Sequence, residues 1–376
     1  MARKTIDLDS IQPNGKRGET QRPAFTKINE NFAEVYDGLD DLQNAIRETL
    51  DGTTGLRISA GNRLINGAFR FWQRGLSRTV VSPLAVYVPD RFQIVCTGAG
   101  QIAASRQEFA TPEFGVASYM NCDLSGSTAS TEAFFTQPVE GVQTLAGSKV
   151  TLSMQTWAST PGKKIGVRFI QNFGTNGSTD VIVHAQAQEI GTAASLRSFT
   201  VDLPSITGKK VGPNSKLHVI VDLAAPAAYA GALTAQSGSF SFTCMQLQKG
   251  AVATEYEHRN DSEELLLCQR YYEKSYNVDV APGTADGAGR DNQFYDRSVG
   301  VGSTSHIRCR VLKRATPAYT VYSDVTGAAG RIAGADGGVG TVTAIVNPGQ
   351  SGAQVNYVSA AGTWGSSFHW TADAEI

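Results

Sequence analysis

The chain has 376 residues, enough for two or three domains with proper cores. Only 18% of them are charged and the formal net charge is −1, which leaves no electrostatic footprint for nucleic acid or an acidic membrane surface. The 39 glycines and the scarcity of helix-forming runs after residue 50 suit a mainly β protein with many turns.

Residues 1–24 are polar, contain Pro13, Asn14, Gly15 and Gly18, and carry Arg3, Lys4, Lys16 and Arg17 without an apolar segment. They read as an extended attachment arm that orders on a partner, not as a secretory signal. Residues 25–51 change character. Phe25, Ile28, Phe32, Val35, Leu39, Leu42 and Ile46 follow one another at alternating steps of three and four, the seam of a heptad repeat. A seam this short is marginal as a lone helix, so it predicts oligomerisation. The large Phe25 and Phe32 at a positions fit three helices better than two, with a dimer as the alternative. The helix is expected to begin near Pro23–Thr26 and to end at Asp51-Gly52, where glycine can take the left-handed cap.

From Leu56 the period becomes two. Val150, Leu152 and Met154 alternate with Thr151, Ser153 and Gln155; Ile165, Val167 and Phe169 with Gly166 and Arg168; Leu217, Val219, Val221 and Leu223 with His218 and Asp222. Phe240 and Phe242 alternate with Ser239, Ser241 and Thr243, and turn signals such as Asn176-Gly177 and Gly212-Pro213-Asn214 separate these runs. Residues 56–259 therefore read as a β-sandwich of jelly-roll type. Asp261-Ser262-Glu263-Glu264 opens a short helical turn ahead of Leu265–Cys268. Strand-like alternation then resumes at Ile307, Cys309 and Val311, at Val342, Ala344 and Val346, and at Phe368 and Trp370, so residues 260–376 read as a smaller C-terminal β-sandwich. The most apolar run, Leu217 to Leu233, is broken by Asp222 and Pro226, which argues against membrane insertion. The cysteines (Cys96, Cys122, Cys244, Cys268, Cys309) show no C-x-x-C pair and no histidine at ligand spacing, so neither a metal site nor a dense disulfide framework is expected. They read as buried free thiols, with an intersubunit bridge left open.

Five blocks carry a family resemblance. They are Leu64-Ile65-Asn66-Gly67-Ala68-Phe69-Arg70-Phe71-Trp72-Gln73-Arg74-Gly75, Pro89-Asp90-Arg91-Phe92, Gln137-Pro138-Val139-Glu140-Gly141 through Leu152, Met245 through Thr254, and Glu263 through Tyr272. Their order resembles a broad family of tailed-bacteriophage fibre and receptor-binding proteins, which carry a jelly roll similar to carbohydrate-binding modules followed by a C-terminal β-domain. The ending Trp370 to Ile376 and the segment Phe25 to Phe32 are also similar to that family. The resemblance covers about residues 20–376. It implies a homotrimeric virion component, a tail fibre or another fibre, made in the bacterial cytoplasm and attached to other virion proteins through residues 1–50. It supplies no catalytic residues.

The chemistry-bearing patterns point to binding, not to catalysis. Cys96-Thr97-Gly98-Ala99-Gly100 mimics a dinucleotide loop but no amphipathic helix follows it, and it reads as a turn. Phosphate-binding and nucleophile-elbow motifs are absent, the five histidines are scattered, and no internal repeat of a long β-helix is visible. No cofactor, no metal and no enzymatic activity are expected. Glycan sites stack sugars on exposed aromatic faces beside polar groups. Trp157 is a candidate because it falls in phase with Thr151, Ser153 and Gln155, on the polar side of its strand; a covering neighbour is the other explanation. Tyr357, Trp364 and Trp370 cluster among Gly- and Ser-rich loops, and Arg308 and Arg310 share a strand face that could meet an anionic glycan. Trp72 reads as a core or interface anchor. The partner expected is a host cell-surface polysaccharide. A purely structural collar, baseplate or head fibre that touches only virion proteins is the alternative.

Overall fold

The structure is a computed structural model. It describes residues 61–225, 228–229, 231–294, 302–334, 337–358 and 365–376, together with 10, 11, 13–17, 26–28 and 32. The chain divides into two units, Met1–Ala60 and Gly61–Ile376. In the first, residues 26–28 and 32 are helical, Ile28 is half-buried and Phe32 is 57% exposed. The other residues of the expected seam, Phe25, Val35, Leu39, Leu42 and Ile46, lie outside the described residues.

The second unit begins with twelve strands: β1 (Ser77–Val81), β2 (Leu84–Tyr87), β3 (Gln93–Thr97), β4 (Gln101–Glu113), β5 (Val116–Ser125), β6 (Glu132–Glu140), β7 (Lys149–Ala158), β8 (Lys163–Asn172), β9 (Val181–Ile190), β10 (Ser195–Asp202), β11 (Lys216–Ala224) and β12 (Gly238–Lys249). They form two six-stranded sheets, ordered β1-β4-β5-β12-β7-β10 and β2-β3-β6-β11-β8-β9. The inward residues of both sheets share one core. Leu152, Met154, Phe240 and Phe242 from the first sheet meet Phe135, Val167, Phe169 and Val221 from the second. This is a β-sandwich, jelly-roll-like in the way the chain passes repeatedly from one sheet to the other. The Gly98-to-Gly100 segment is a turn between β3 and β4, with φ of 81° and 92° at its two glycines.

Helix α1 (Asp261–Gln269) follows, capped by Asn260, whose side-chain oxygen accepts from the Glu263 N–H at 2.8 Å. The cap thus lies one residue before the Asp261-to-Glu264 run that opens the helix. The chain ends with β13 (Tyr272–Lys274), β14 (Asp291–Phe294), β15 (Gly302–Arg308), β16 (Ala318–Tyr322), β17 (Arg331–Gly334), β18 (Val339–Gly349), β19 (Gly352–Val358) and β20 (Gly365–Asp373). These strands make one branched eight-stranded sheet where the sequence suggests a second sandwich. The branch point is β20. Its residues 365–368 pair with β14 and β17, and its residues 369–373 pair with β13 and β16.

The blocks that carry the family resemblance converge where α1, β13 and the C-terminus meet the sandwich. Asn66 donates to the Phe71 and Asp90 carbonyls at 2.8 and 3.1 Å and accepts from the Phe71 N–H at 3.0 Å. Gln73 bonds Asp90 through its backbone N–H at 3.0 Å and its side chain at 2.7 Å, and reaches the Tyr272 carbonyl at 3.1 Å. Arg74 lies over the Tyr272 ring at 3.7 Å and pairs with Asp373 at 3.1 Å and Glu375 at 3.5 Å. Arg91, 1% exposed, lies over the Tyr271 ring at 3.3 Å, pairs with Glu375 and donates to the Pro138 carbonyl at 2.7 Å. Trp72 is fully buried, as expected for an anchor.

Candidate functional site

Strand alternation turns one set of side chains of the β1-β4-β5-β12-β7-β10 sheet away from the core. In β5, Met120, Cys122 and Leu124 point inward, so Tyr119, Asn121 and Asp123 point outward. In β7, Leu152 and Met154 are core residues, which puts Ser153, Gln155 and Trp157 outside. The register aligns Ser105, Asn121, Ser241 and Trp157 in one row across four strands. The β12 members of this face, Ser241 and Thr243, are small. The rings of the flanking strands therefore meet above them. Tyr119 and Trp157 have centroids 4.9 Å apart, Phe109 and Tyr119 4.7 Å, and Phe109 and Trp157 6.1 Å. Phe114 joins them at 6.3 Å from Phe109. It sits at φ 52° beside Gly115 at φ 75°, in the two-residue turn between β4 and β5 whose positive dihedrals match a type I′ hairpin. Phe109, Tyr119 and Trp157 are half-buried, and Phe114 is 40% exposed.

Polar groups surround the rings. Asn121 accepts from the hydroxyls of Ser239 at 2.7 Å and Ser241 at 3.0 Å. Gln155 opens onto a cavity of about 260 Å³ shared with Phe114, Leu196, Tyr256 and His258, and its buried Oε1 has no hydrogen-bond partner among the described residues. The far side of this cavity is a strap formed by the chain after β12. Gln246 fixes the strap: its amide nitrogen donates to the Thr254 hydroxyl at 2.9 Å and its oxygen accepts from the Glu257 N–H at 2.8 Å. Gln248 adds a bond to the Val252 carbonyl at 2.7 Å. Beyond the strap lies a second cavity of about 270 Å³, lined by Asn66, Arg70, His258, Asp261 and Glu264 among others. There Arg70 pairs with Asp261 at 3.3 Å, and burial pushes the Glu264 carboxyl up, against the Asn66 N–H and Arg259 that favour its charged form. Among the described residues no group of three His, Cys, Asp or Glu side chains could hold a metal ion.

Of the residues that the sequence singles out for glycan contact, Trp157 lies on this face. Tyr357 and Trp370 do not meet solvent. Tyr357 is 0% exposed with its hydroxyl 2.7 Å from that of Ser366, and Trp370 is 4% exposed with its ring N–H on Asp291 at 2.5 Å. The reason is that β20 is paired on both edges and buried on both faces, so Trp370 packs in a core with Tyr357 and Phe368. Trp364 lies outside the described residues. Arg308 and Arg310 are exposed, but β15 ends at Arg308 and the Arg310 N–H turns to the Glu273 carboxylate at 2.8 Å, so the two share no strand face. Phe109, Tyr119 and Phe114 are the residues that sequence reading missed. Tyr119 carried the same signal as Trp157, an aromatic in the polar phase of an alternating run.

No family model matches the chain, and no curated protein matches it in sequence. Among solved structures it is similar to the enzymatically active domain of tailspike protein 4 of bacteriophage CBA120, at 8% identity and a TM-score of 0.29 over 50% of this chain and 21% of that one. The chain thus spans about a fifth of that protein's length. It is similar also to a putative sugar-binding protein from Bacteroides thetaiotaomicron, at 13% identity and a TM-score of 0.31 over 50% of this chain and 100% of that one. A third is the family 11 carbohydrate-binding module of Lic26A-Cel5E from Clostridium thermocellum, at 9% identity and a TM-score of 0.28 over 50% and 99% of the two chains. Scores this low bear no conclusion about function.

Proposed function

We propose that the chain is a subunit of a bacteriophage fibre that binds host-surface glycan through the outer face of the β1-β4-β5-β12-β7-β10 sheet, without making or breaking bonds. The supporting observation is the joined set of rings, Phe109, Tyr119 and Trp157, half-buried on a face that also presents the hydroxyls and amides of Ser105, Asn121, Gln155 and Ser241. Aromatic faces take the C–H side of a sugar ring while neighbouring amides and hydroxyls take its hydroxyl groups. The heptad seam of residues 25–51 supports a trimer, attached to other virion proteins through residues 1–50. Three such faces on one particle would raise avidity without any new contact. Calorimetric titration of the full chain with bacterial surface polysaccharides tests the binding, with a reducing-end assay on the same samples. Saturable binding without released sugar is expected; released sugar would overturn the non-enzymatic part.

A second reading has its own support. Phe114 and Leu196, 40% and 50% exposed, extend the ring cluster with apolar surface that another virion protein would cover in a purely structural collar, baseplate or head fibre. It entails that the isolated, folded chain binds no glycan.

A further inference from the structure

We infer that this face selects an uncharged polysaccharide and rejects anionic ones, an inference that rests on the glycan-binding function proposed above. The argument is the distribution of charge by strand phase. Recognition of a carboxylate, phosphate or sulfate is favoured by Arg or Lys aimed at the ligand, because both bring a full positive charge and Arg adds a bidentate hydrogen bond. In the six strands of this sheet, Arg78, Arg106, Arg197 and Lys249 all stand opposite inward-phase neighbours: Ala104, Met120, Met154 and Val150. None shares the phase of Trp157. Arg106 is moreover paired with Asp279 at 2.9 Å and with Glu108. Lys149 does share that phase, but it lies at the opposite end of β7 and is paired with Asp202 at 2.9 Å.

Among the described residues, the charges left on this side are carboxylates, the wrong sign for an anion: Asp123 on the sheet and Glu255 on the strap that lines the cavity with Phe114 and Gln155. Asp123 is exposed on β5, in phase with Tyr119 and Asn121 and directly opposite Ser239. A carboxylate accepts hydrogen bonds from sugar hydroxyls and repels uronate or phosphate groups at the same distance. The other polar groups here are neutral and suited to hydroxyls: the Asn121 amide, the Gln155 side chain at the cavity, and the serines of β12. The face is complementary to neutral hexose or pentose units in charge as well as in polarity.

The test uses the folded full chain against immobilised neutral polysaccharides (glucan, mannan, galactan, xylan) and anionic ones (polygalacturonate, alginate, dextran sulfate). Each is measured at about 20 and about 200 mM salt, between which the Debye length falls from roughly 20 Å to roughly 7 Å. Saturable binding to at least one neutral polysaccharide is expected, changing by less than about twofold with salt and weakened about tenfold or more in Trp157→Ala. Binding confined to the anionic set and weakened at high salt overturns the inference and leaves glycan binding standing. Binding to none of the polysaccharides overturns both. Asp123→Lys reads the charge directly: binding to polygalacturonate should appear, and its continued rejection by the folded variant would show that something other than charge excludes it.

Discussion

Trp157 is half-buried on a sheet face, whereas Trp370 is 4% exposed within a strand covered on both sides. The two tryptophans should respond to truncation in opposite ways. Trp157→Ala should weaken glycan binding about tenfold or more and cost little stability; Trp370→Ala should cost about 3–5 kcal/mol, seen in denaturant melts, and affect binding only through unfolding. Two other residues shape the acid response. Asp222 is fully buried, pairs with Arg168 at 3.0 Å and accepts from the Tyr229 hydroxyl at 2.8 Å, yet burial pushes its carboxyl from 3.8 up to about 6. A raised acid contributes stability that is complete below its ordinary value and lost as pH rises through about 6. His218 is the reverse: burial, helped by Lys216, lowers it from 6.5 to about 4, so its contribution is complete above 6.5 and lost as pH falls through about 4. The two oppose each other across one window. Asp222→Asn should therefore steepen the loss of stability on acidification from pH 6 to pH 4, and His218→Gln should flatten it, in Tm measured against pH.

At the scale of elements, the contact between the C-terminus and the sandwich is made by buried ion pairs. Glu375 lies between Arg91 and Arg74, and Arg91 is 1% exposed. Removing one partner of a buried pair leaves an uncompensated charge, so Arg91→Ala should destabilise by about 3–5 kcal/mol, and Arg91→Ala with Glu375→Ala should cost less than the sum. Chemical denaturation of the four species measures the coupling; strict additivity would contradict it. The same contact means that cutting the chain after residue 259 removes Asp373 and Glu375 from these arginines, so point variants are the cleaner controls. Much of this level was legible in the sequence. The period-two runs at Val150, Ile165, Leu217 and Phe240 are strands β7, β8, β11 and β12, and Trp157 stands in the outward phase that its alternation with Leu152 and Met154 predicts. Phe109 and Phe114 were not legible, because the register shift between Glu108 and Glu113 hides the alternation of β4 at its end. Tyr357 and Trp370 misled for a different reason. Near glycines and serines they look exposed, but Tyr357 stands in the buried phase of β19 and both phases of β20 are buried, which composition alone does not reveal.

At the scale of the whole molecule, the sandwich presents the aromatic face that we propose binds glycan, and the sheet around β20 is joined to it through buried ion pairs and stacked arginines within the one compact unit Gly61–Ile376. A weak single face becomes effective when repeated on one particle, which is the use we propose for an oligomer formed through the seam expected in residues 25–51. The oligomeric state follows from analytical ultracentrifugation of the full chain, with a trimer expected and a monomer at micromolar concentration contradicting the seam. The central claim, glycan binding through the rings of Phe109, Tyr119 and Trp157, is tested most directly by probing an array of bacterial surface polysaccharides with the full chain, Trp157→Ala and the exposed-site control Arg308→Ala. The account expects saturable binding by the parent and by Arg308→Ala, and a loss of about tenfold or more in Trp157→Ala. Equal binding by a folded Trp157→Ala, or no binding by the folded parent, would contradict it.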